Sequence, residues 1–223
     1  MRALRARGML VVGLSRRPST ADEHEECDVA ERASVDAAAA RVLERHPRID
    51  LLVNNAGVGA RGNYLDAGPE MIERVVQVNY LGSVWSTLAF LPGLGKGSHI
   101  VNLVSVAGTV AVGPYAASKH AQLAFSRSLS SALSGSRISV HAVLPGFVET
   151  EGFPQRNVLK SALLRRFVIE PDDVAAAILK AIEKGKAETV VPWFPYRVTG
   201  IAQAVAPGLV ARFAGISAQK GEA

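Results

Sequence analysis

Tyr115-Ala116-Ala117-Ser118-Lys119 places a phenol four residues ahead of an ammonium. In a helix, residues i and i+4 share one face, so the two groups meet one turn apart. A cation in that position favours the phenolate and lowers the tyrosine pKa from its usual value of about 10. A phenol tuned this way passes protons near neutral pH and serves as a general acid or base. Upstream, the hydroxyl of Ser105 can hydrogen-bond an oxygen as charge moves on or off it. Asn54-Asn55-Ala56-Gly57 offers amide side chains and a glycine where backbone can approach a ligand closely. Pro145-Gly146 is a further break of the same kind. Each feature also has a plain reading, as a surface pair or an ordinary turn, because Ser, Asn, Gly and Pro are common turn residues.

The hydrophobic pattern around them gives these residues weight. Short apolar runs at 9–14, 51–53 (with Ile49 before it), 99–104, 138–144 and 188–191 predict strands. Helical spacing predicts helices at 31–44, closed by Pro47, then from Pro69 to about Leu91, at 115–133 and at 171–184. Pro69 and Pro171 each suit a first helical turn. Continuously apolar strands that alternate with helices mean βαβ units and a parallel sheet covered on both faces. The predicted fold class is α/β, a doubly wound parallel sheet of the Rossmann type in three layers, α/β/α. Ligands of such sheets bind beyond the carboxyl ends of the strands. Residues 15–17, 54–57, 105–108 and 145–150 stand at those ends.

Together these residues resemble the short-chain dehydrogenase/reductase family, over residues 2–192. The match is carried by Asp28-Val29, Asn54-Asn55-Ala56-Gly57, Asn79, Ser105, Tyr115-x-x-x-Lys119 and Pro145-Gly146-Phe147-Val148-Glu149-Thr150. The resemblance implies that Tyr115 exchanges a proton with the substrate oxygen. It implies that Lys119 lowers the pKa of Tyr115 and holds the nicotinamide ribose. Ser105 would orient the carbonyl or alcohol, and Asn79 would hold a water that links Lys119 to solvent. Asn55, Ala56 and Gly57 would lie along the cofactor, Asp28 and Val29 would meet the adenine, and Val148 and Thr150 would contact the nicotinamide side. The implied activity is NAD(P)(H)-dependent oxidation or reduction at a carbonyl or secondary-alcohol carbon. The implied assembly is a homodimer or homotetramer joined through 69–91 and the helix from Tyr115.

Charge distinguishes the two dinucleotides. An acid at the end of the second strand of a dinucleotide fold selects NAD by binding the ribose hydroxyls. Here the strand at 9–14 runs into Ser15-Arg16-Arg17. No carboxylate stands there to repel a 2′-phosphate, and Arg16 can pair with one. Ser15 and Arg16 are therefore expected at the ribose, with NADP(H) as cofactor and NAD as the alternative.

The chain departs from the family in two places. Family members open with a strand and a glycine-rich turn that leads into a helix and cradles the pyrophosphate. Residues 2–8 resemble only the end of that helix, so the fold is expected to be N-terminally incomplete. A gap of about two strand spacings, at ~4.8 Å each, is expected before the strand that ends at Val53. Either the natural chain extends upstream of Met1, or dinucleotide binding is weak or lost. The second case would make the protein a catalytically silent binding or regulatory module. Nine residues separate Ser105 from Tyr115, fewer than family members usually carry. This short connection either shifts one of the pair out of register or narrows one wall of the pocket.

Composition excludes other classes. The chain has 223 residues, 48% of them apolar, with 25 Lys+Arg against 20 Asp+Glu and a net charge of +5. That rules out a disordered chain and suits a single domain, with a core at 1–192 and a helical tail at 193–223. No run approaches about 18 uninterrupted apolar residues, so no membrane-spanning helix is expected. The cations are scattered, and no nucleic-acid module is present. Cys27 is alone, which excludes an internal disulfide and suits a reducing compartment. The run at 9–14 is too short for a secretory signal, so a cytoplasmic location is expected. The five histidines lack metal-ligand spacing, and no metal is expected. Trp193, Phe194 and Tyr196 are candidates for the substrate mouth or for core. The tail at 198–213 is expected to pack on this domain or on a partner subunit. Phe147, Phe153 and Phe167 point to a small or medium apolar substrate.

Overall fold

The structure is a computed structural model that describes residues 1–60, 62–111, 113–150 and 164–208. After a single helical turn, α1 (Arg2–Arg5), the chain forms β1 (Val12–Ser15), β2 (Glu23–Glu26), α2 (Arg32–Arg45) and β3 (Ile49–Asn54). α3 (Pro69–Val76) leads through a π-helical turn at Gln77–Leu81 into α4 (Gly82–Phe90). β4 (Leu94–Leu103), α5 (Gly113–Ala132), β5 (Ser139–Pro145) and β6 (Phe147–Val148) follow. The chain continues with β7 (Val168–Ile169), α6 (Pro171–Glu183), β8 (Glu188–Val191) and α7 (Tyr196–Val205).

The main sheet has the order β3-β4-β5-β8, and every neighbouring pair is parallel. Its middle strands are apolar on both faces because helices cover both. Val101 and Val143 pack with Ala181 of α6. Ile100 and Val140 turn the other way and meet Leu129 and Leu133 at the α5 end. Helix α2 forms because Val35, Ala38, Ala39 and Val42 recur at helical spacing and are all buried. Helix α6 begins at Pro171 and is closed by a reciprocal cap between Glu170 and Asp173. Parallel strands flanked by helices on both faces give the three-layer α/β/α fold.

The expected strand at 9–14 starts later, at Val12, and a second strand, β2, runs parallel to it. The sequence reading missed β2 because its residues, Glu23-His24-Glu25-Glu26, are all polar. Its side chains find charged rather than apolar partners. Glu25 meets Arg41 and Arg45 of α2, each at 2.7 Å, and Glu23 meets His46, which caps α2, at 3.0 Å. Charged edge strands of this kind also resist pairing with other chains.

The long helix predicted from Pro69 is interrupted by the π turn, which contains Asn79. Among the described residues no hydrogen bond joins β1 to β3, which is the break expected from the sequence. Both strands nevertheless lie on the same helices. Val12 and Leu14 of β1, and Ile49 and Leu52 of β3, pack against Ala39, Val42 and Phe90.

α4 approaches the loop after β2 closely at Gly82. A Cβ there would meet the Val29 side chain and its carbonyl oxygen at 3.0 Å. Gly82→Ala is therefore expected to destabilise the fold by about 1–3 kcal/mol through overpacking. Urea denaturation of the two proteins checks this, and equal midpoints would contradict the packing described.

Candidate active site

The carboxyl ends of β3, β4 and β5 bring the candidate residues together. Leaving β4, the chain makes one tight turn at Val106–Thr109 and then enters α5. Ser105 caps that turn, its Oγ accepting from the Ala107 N–H at 3.1 Å. The turn lies directly on α5: a Cβ on Gly108 would come within 2.9 Å of the Lys119 carbonyl oxygen. Gly113 opens α5 with φ +66°, and a Cβ there would approach the Gly62 carbonyl at 2.8 Å. The short connection is thus accommodated by a turn folded flat on the helix. Ser105 and Tyr115 stay near one another, close enough for the Ser105 hydroxyl to lower the pKa of the phenol.

Tyr115 and Lys119 share one face of α5, as their spacing predicts. The Lys119 ammonium lies 6.0 Å from the centroid of the Tyr115 ring. It points inward, donating to the Leu103 carbonyl at 3.0 Å and to Gln122 Oε1 at 2.8 Å. Burial pushes Lys119 down to about 7. Burial also pushes the Tyr115 phenol up from its ordinary value, opposed by the hydrogen bond to Ser105. The sequence reading expected the phenol to be lowered by the cation. In the structure desolvation dominates both groups, and it favours the neutral form of each.

Asn79 is fully buried, and both polar atoms of its side chain are bonded. Its Oδ1 accepts from the Val58 N–H at 2.8 Å, and its Nδ2 donates to the Val58 carbonyl at 3.0 Å and to Ser118 Oγ at 2.9 Å. Asn79 thereby clamps the chain just beyond Gly57 to α5. At Gly57 the backbone comes close to the amine: a Cβ there would stand 3.8 Å from Lys119 Nζ. Asn55 and Ala56 lie in the same segment, between β3 and Gly57.

The residues expected at the adenine end lie on β1 and after β2. Asp28 stands between two guanidiniums, Arg16 at 3.8 Å and Arg74 at 3.6 Å. The sequence reading missed Arg74, because it lies on α3, far along the chain from Asp28. The Ser15 hydroxyl is bonded to the Arg17 carbonyl at 2.6 Å and contacts His24 at 3.3 Å. Val29 packs into the core with Leu14, Trp85 and Ala89.

At the third strand end, Val148 pairs with Ile169, and Thr150 closes the described stretch. Tyr196 lies over Gly146, stacks edge-on against Phe147 at 6.1 Å, and bonds the Phe167 carbonyl at 3.4 Å. Of the three aromatics considered for the mouth, Tyr196 therefore sits at this strand end. Trp193 and Phe194 are about three-fifths exposed, at 62% and 61%. Phe153 and the tail beyond residue 208 lie outside the described residues.

A family model for the short chain dehydrogenase matches residues 10–158. Dehydrogenase/reductase SDR family member 7B of Danio rerio is 35% identical over 182 residues, covering 74% of this chain and 57% of its own length. The protein of the same name from Mus musculus is 30% identical over 207 residues, covering 86% and 63%. The chain thus spans about three-fifths of the length of these curated relatives. Among solved structures, a short chain dehydrogenase/reductase from Burkholderia phymatum in complex with NAD is similar, with a TM-score of 0.71 and 27% identity over 93% of this chain and 80% of that one. A short-chain dehydrogenase from Streptomyces avermitilis shares the fold, with a TM-score of 0.76 at 24% identity over 95% and 91% of the two chains.

The desolvated lysine has a measurable consequence. Lys119 titrates near 7 when folded and near about 10.4 when unfolded, so the unfolded state binds more protons between those values. Stability should therefore rise with pH from about 7 to about 10 through this group. Lys119→Met should lack that part of the rise, as read from urea midpoints at several pH values. Identical pH dependence in the two proteins would mean that the amine is not desolvated.

Proposed function

The chain belongs to the short-chain dehydrogenase family, and from that premise we propose that it is a nicotinamide-dependent oxidoreductase interconverting a carbonyl and a secondary alcohol. The observation that carries this reading is the constellation at the end of β4: a part-buried Tyr115 phenol whose pKa the Ser105 hydroxyl lowers, with the Lys119 amine 6.0 Å from its ring centroid.

The residues fit the two ends of a dinucleotide. Lys119 and the close backbone at Gly57 would hold the nicotinamide ribose, and Asn55 and Ala56 would lie along it. Arg16 and Arg74, both beside Asp28, would hold the adenosine end. Their two positive charges favour NADP(H) over NAD, because a 2′-phosphate can pair with guanidinium groups.

When bound, the dinucleotide supplies or accepts the hydride; the chain supplies position and proton transfer. In the reductive direction Tyr115 donates its phenolic proton to the substrate oxygen, while the Ser105 hydroxyl holds that oxygen in place. Burial keeps the phenol protonated and ready to donate. An anionic ligand entering the crevice favours the charged form of Lys119, and that charge then favours the phenolate left behind. The two titrations are thus coupled through occupancy of the site. Phe147 and Tyr196 at the end of β5 give the substrate an apolar wall, consistent with a small or medium apolar carbonyl compound. The protein is proposed to act in the cytoplasm as a homodimer or homotetramer.

Tyr115→Phe should lower NADPH-dependent reduction of a panel of apolar ketones by about 10²-fold or more, while NADPH binding measured by fluorescence stays close to wild type. Full turnover in this variant would refute the proton role. A wild-type protein that binds NADPH without turning over any ketone would instead support a silent binding module. Arg16→Asp should shift relative affinity from NADPH towards NADH, and an unchanged ratio would remove Arg16 from cofactor selection.

A further inference from the structure

Lys119 is held from behind by a side chain that neither its spacing nor the family resemblance singled out. Gln122 lies one helical turn further along α5 and is completely buried. Its Oε1 accepts from the Lys119 amine at 2.8 Å, and the Leu103 carbonyl accepts at 3.0 Å. Its other end donates from Nε2 to Ser83 Oγ at 2.7 Å. Ser83 Oγ in turn donates its single proton to the Asn79 carbonyl at 3.2 Å.

This chain runs in one direction only. A hydroxyl has one proton to give. Ser83 spends it on Asn79, so towards Gln122 it can only accept. The Gln122 amide must therefore present its NH₂ to Ser83 and its carbonyl to Lys119. Ser83 is itself anchored, because its carbonyl accepts from Thr87 Oγ1 at 2.7 Å. Asn54 Nδ2 donates to Thr87 Oγ1 at 3.0 Å and to Asn102 Oδ1 at 2.7 Å, and Asn102 Nδ2 donates to Ser126 Oγ at 2.7 Å. Asn54, Ser83, Thr87, Asn102, Gln122 and Ser126 are all buried. Buried polar groups are costly unless each is bonded, so the seam resists local rearrangement.

We propose that Gln122 is the positioning residue of Lys119, a directed neutral acceptor that holds the amine at the crevice in both of its protonation states. The proposal rests on the role given to Lys119 above. A carbonyl accepts from an ammonium and, more weakly, from a neutral amine, so Gln122 holds Lys119 in both states and favours the charged one only modestly. Two N–H groups of the ammonium are spent on Gln122 and Leu103. The third is spent on neither, and the bare backbone of Gly57 lies close to the amine. A carboxylate at this position would lock the lysine in its charged form. An apolar side chain would leave the amine with Leu103 alone and free to swing.

The test is a titration of the intact chain carrying lysine labelled with ¹³C at Cε, read by NMR, with the Lys119 signal assigned by its loss in Lys119→Met. The wild-type midpoint should lie near 7. Gln122→Glu should raise it by about one pH unit or more, and Gln122→Leu should lower it, because an acceptor for the charged form is lost. With the most active ketone of the panel, Gln122→Leu should lower kcat about tenfold with little change in KM. Gln122→Glu should restore kcat and shift the pH profile in step with the titration. Lys119 midpoints that stay at the wild-type value in both variants would overturn the proposal, as would a wild-type kcat and pH profile in Gln122→Leu. If Gln122→Leu does not fold, Ser83→Ala, which frees the amide to turn over, should lower the Lys119 midpoint, and no movement there would overturn the proposal equally. If the midpoints move as stated but no variant, wild type included, turns over a ketone, the oxidoreductase reading fails and the positioning role stands.

Discussion

A lysine amine buried with only neutral acceptors is the constraint on which the site depends. Ionised groups are rarely tolerated in an interior without an opposite charge. Lys119 has the Leu103 carbonyl and the Gln122 amide, and burial lowers its proton affinity to about 7. The arrangement costs stability at neutral pH and keeps the amine able to gain or lose a proton there. Tyr115 is displaced in the opposite direction by the same burial, so both groups are neutral-leaning until charge enters the crevice. The site thus stores an electrostatic bias that a bound anion can reverse.

Holding that lysine requires close backbone approach on several sides. Gly108 lets the turn after β4 lie on the helix that carries Lys119, and Gly57 brings the chain leaving β3 up to the amine. Asn79, in the π turn between α3 and α4, ties that same chain to Ser118. A π turn adds a residue to a helix and swings side chains out of their regular positions, which is how such turns come to sit at functional places. The parallel register of β3 and β4 puts Asn54 opposite Asn102, and their amides start the polar seam that ends at Gln122. The sheet therefore does more than present loop ends: two of its strands supply the interior bonds that brace α5.

The end of the sheet at β1 and β2 is built differently. β1 and β2 are joined to the rest of the structure through side chains packed on α2 and α4, with no hydrogen bond to β3 among the described residues. Position at that end is set by hydrophobic contact and by ion pairs, among them Asp28 with Arg16 and Arg74. Arg16 is largely exposed, so its pairing is screened and readily exchanged for a ligand phosphate.

The sequence by itself determined the fold class, most of the strands and helices, and the pairing of Tyr115 with Lys119 on one helical face. These follow from periodicity, proline and glycine placement and residue spacing, which are local along the chain. β2 escaped because a strand whose side chains pair with arginines of a neighbouring helix carries no apolar signature. The direction of the Tyr115 shift, the inward turn of Lys119, the part played by Gln122 and the approach of Arg74 to Asp28 were decided only by the tertiary structure. Each depends on how much water is excluded and on which distant residues meet. Desolvation and contact between remote segments are properties of the packed interior, not of any stretch of sequence read alone.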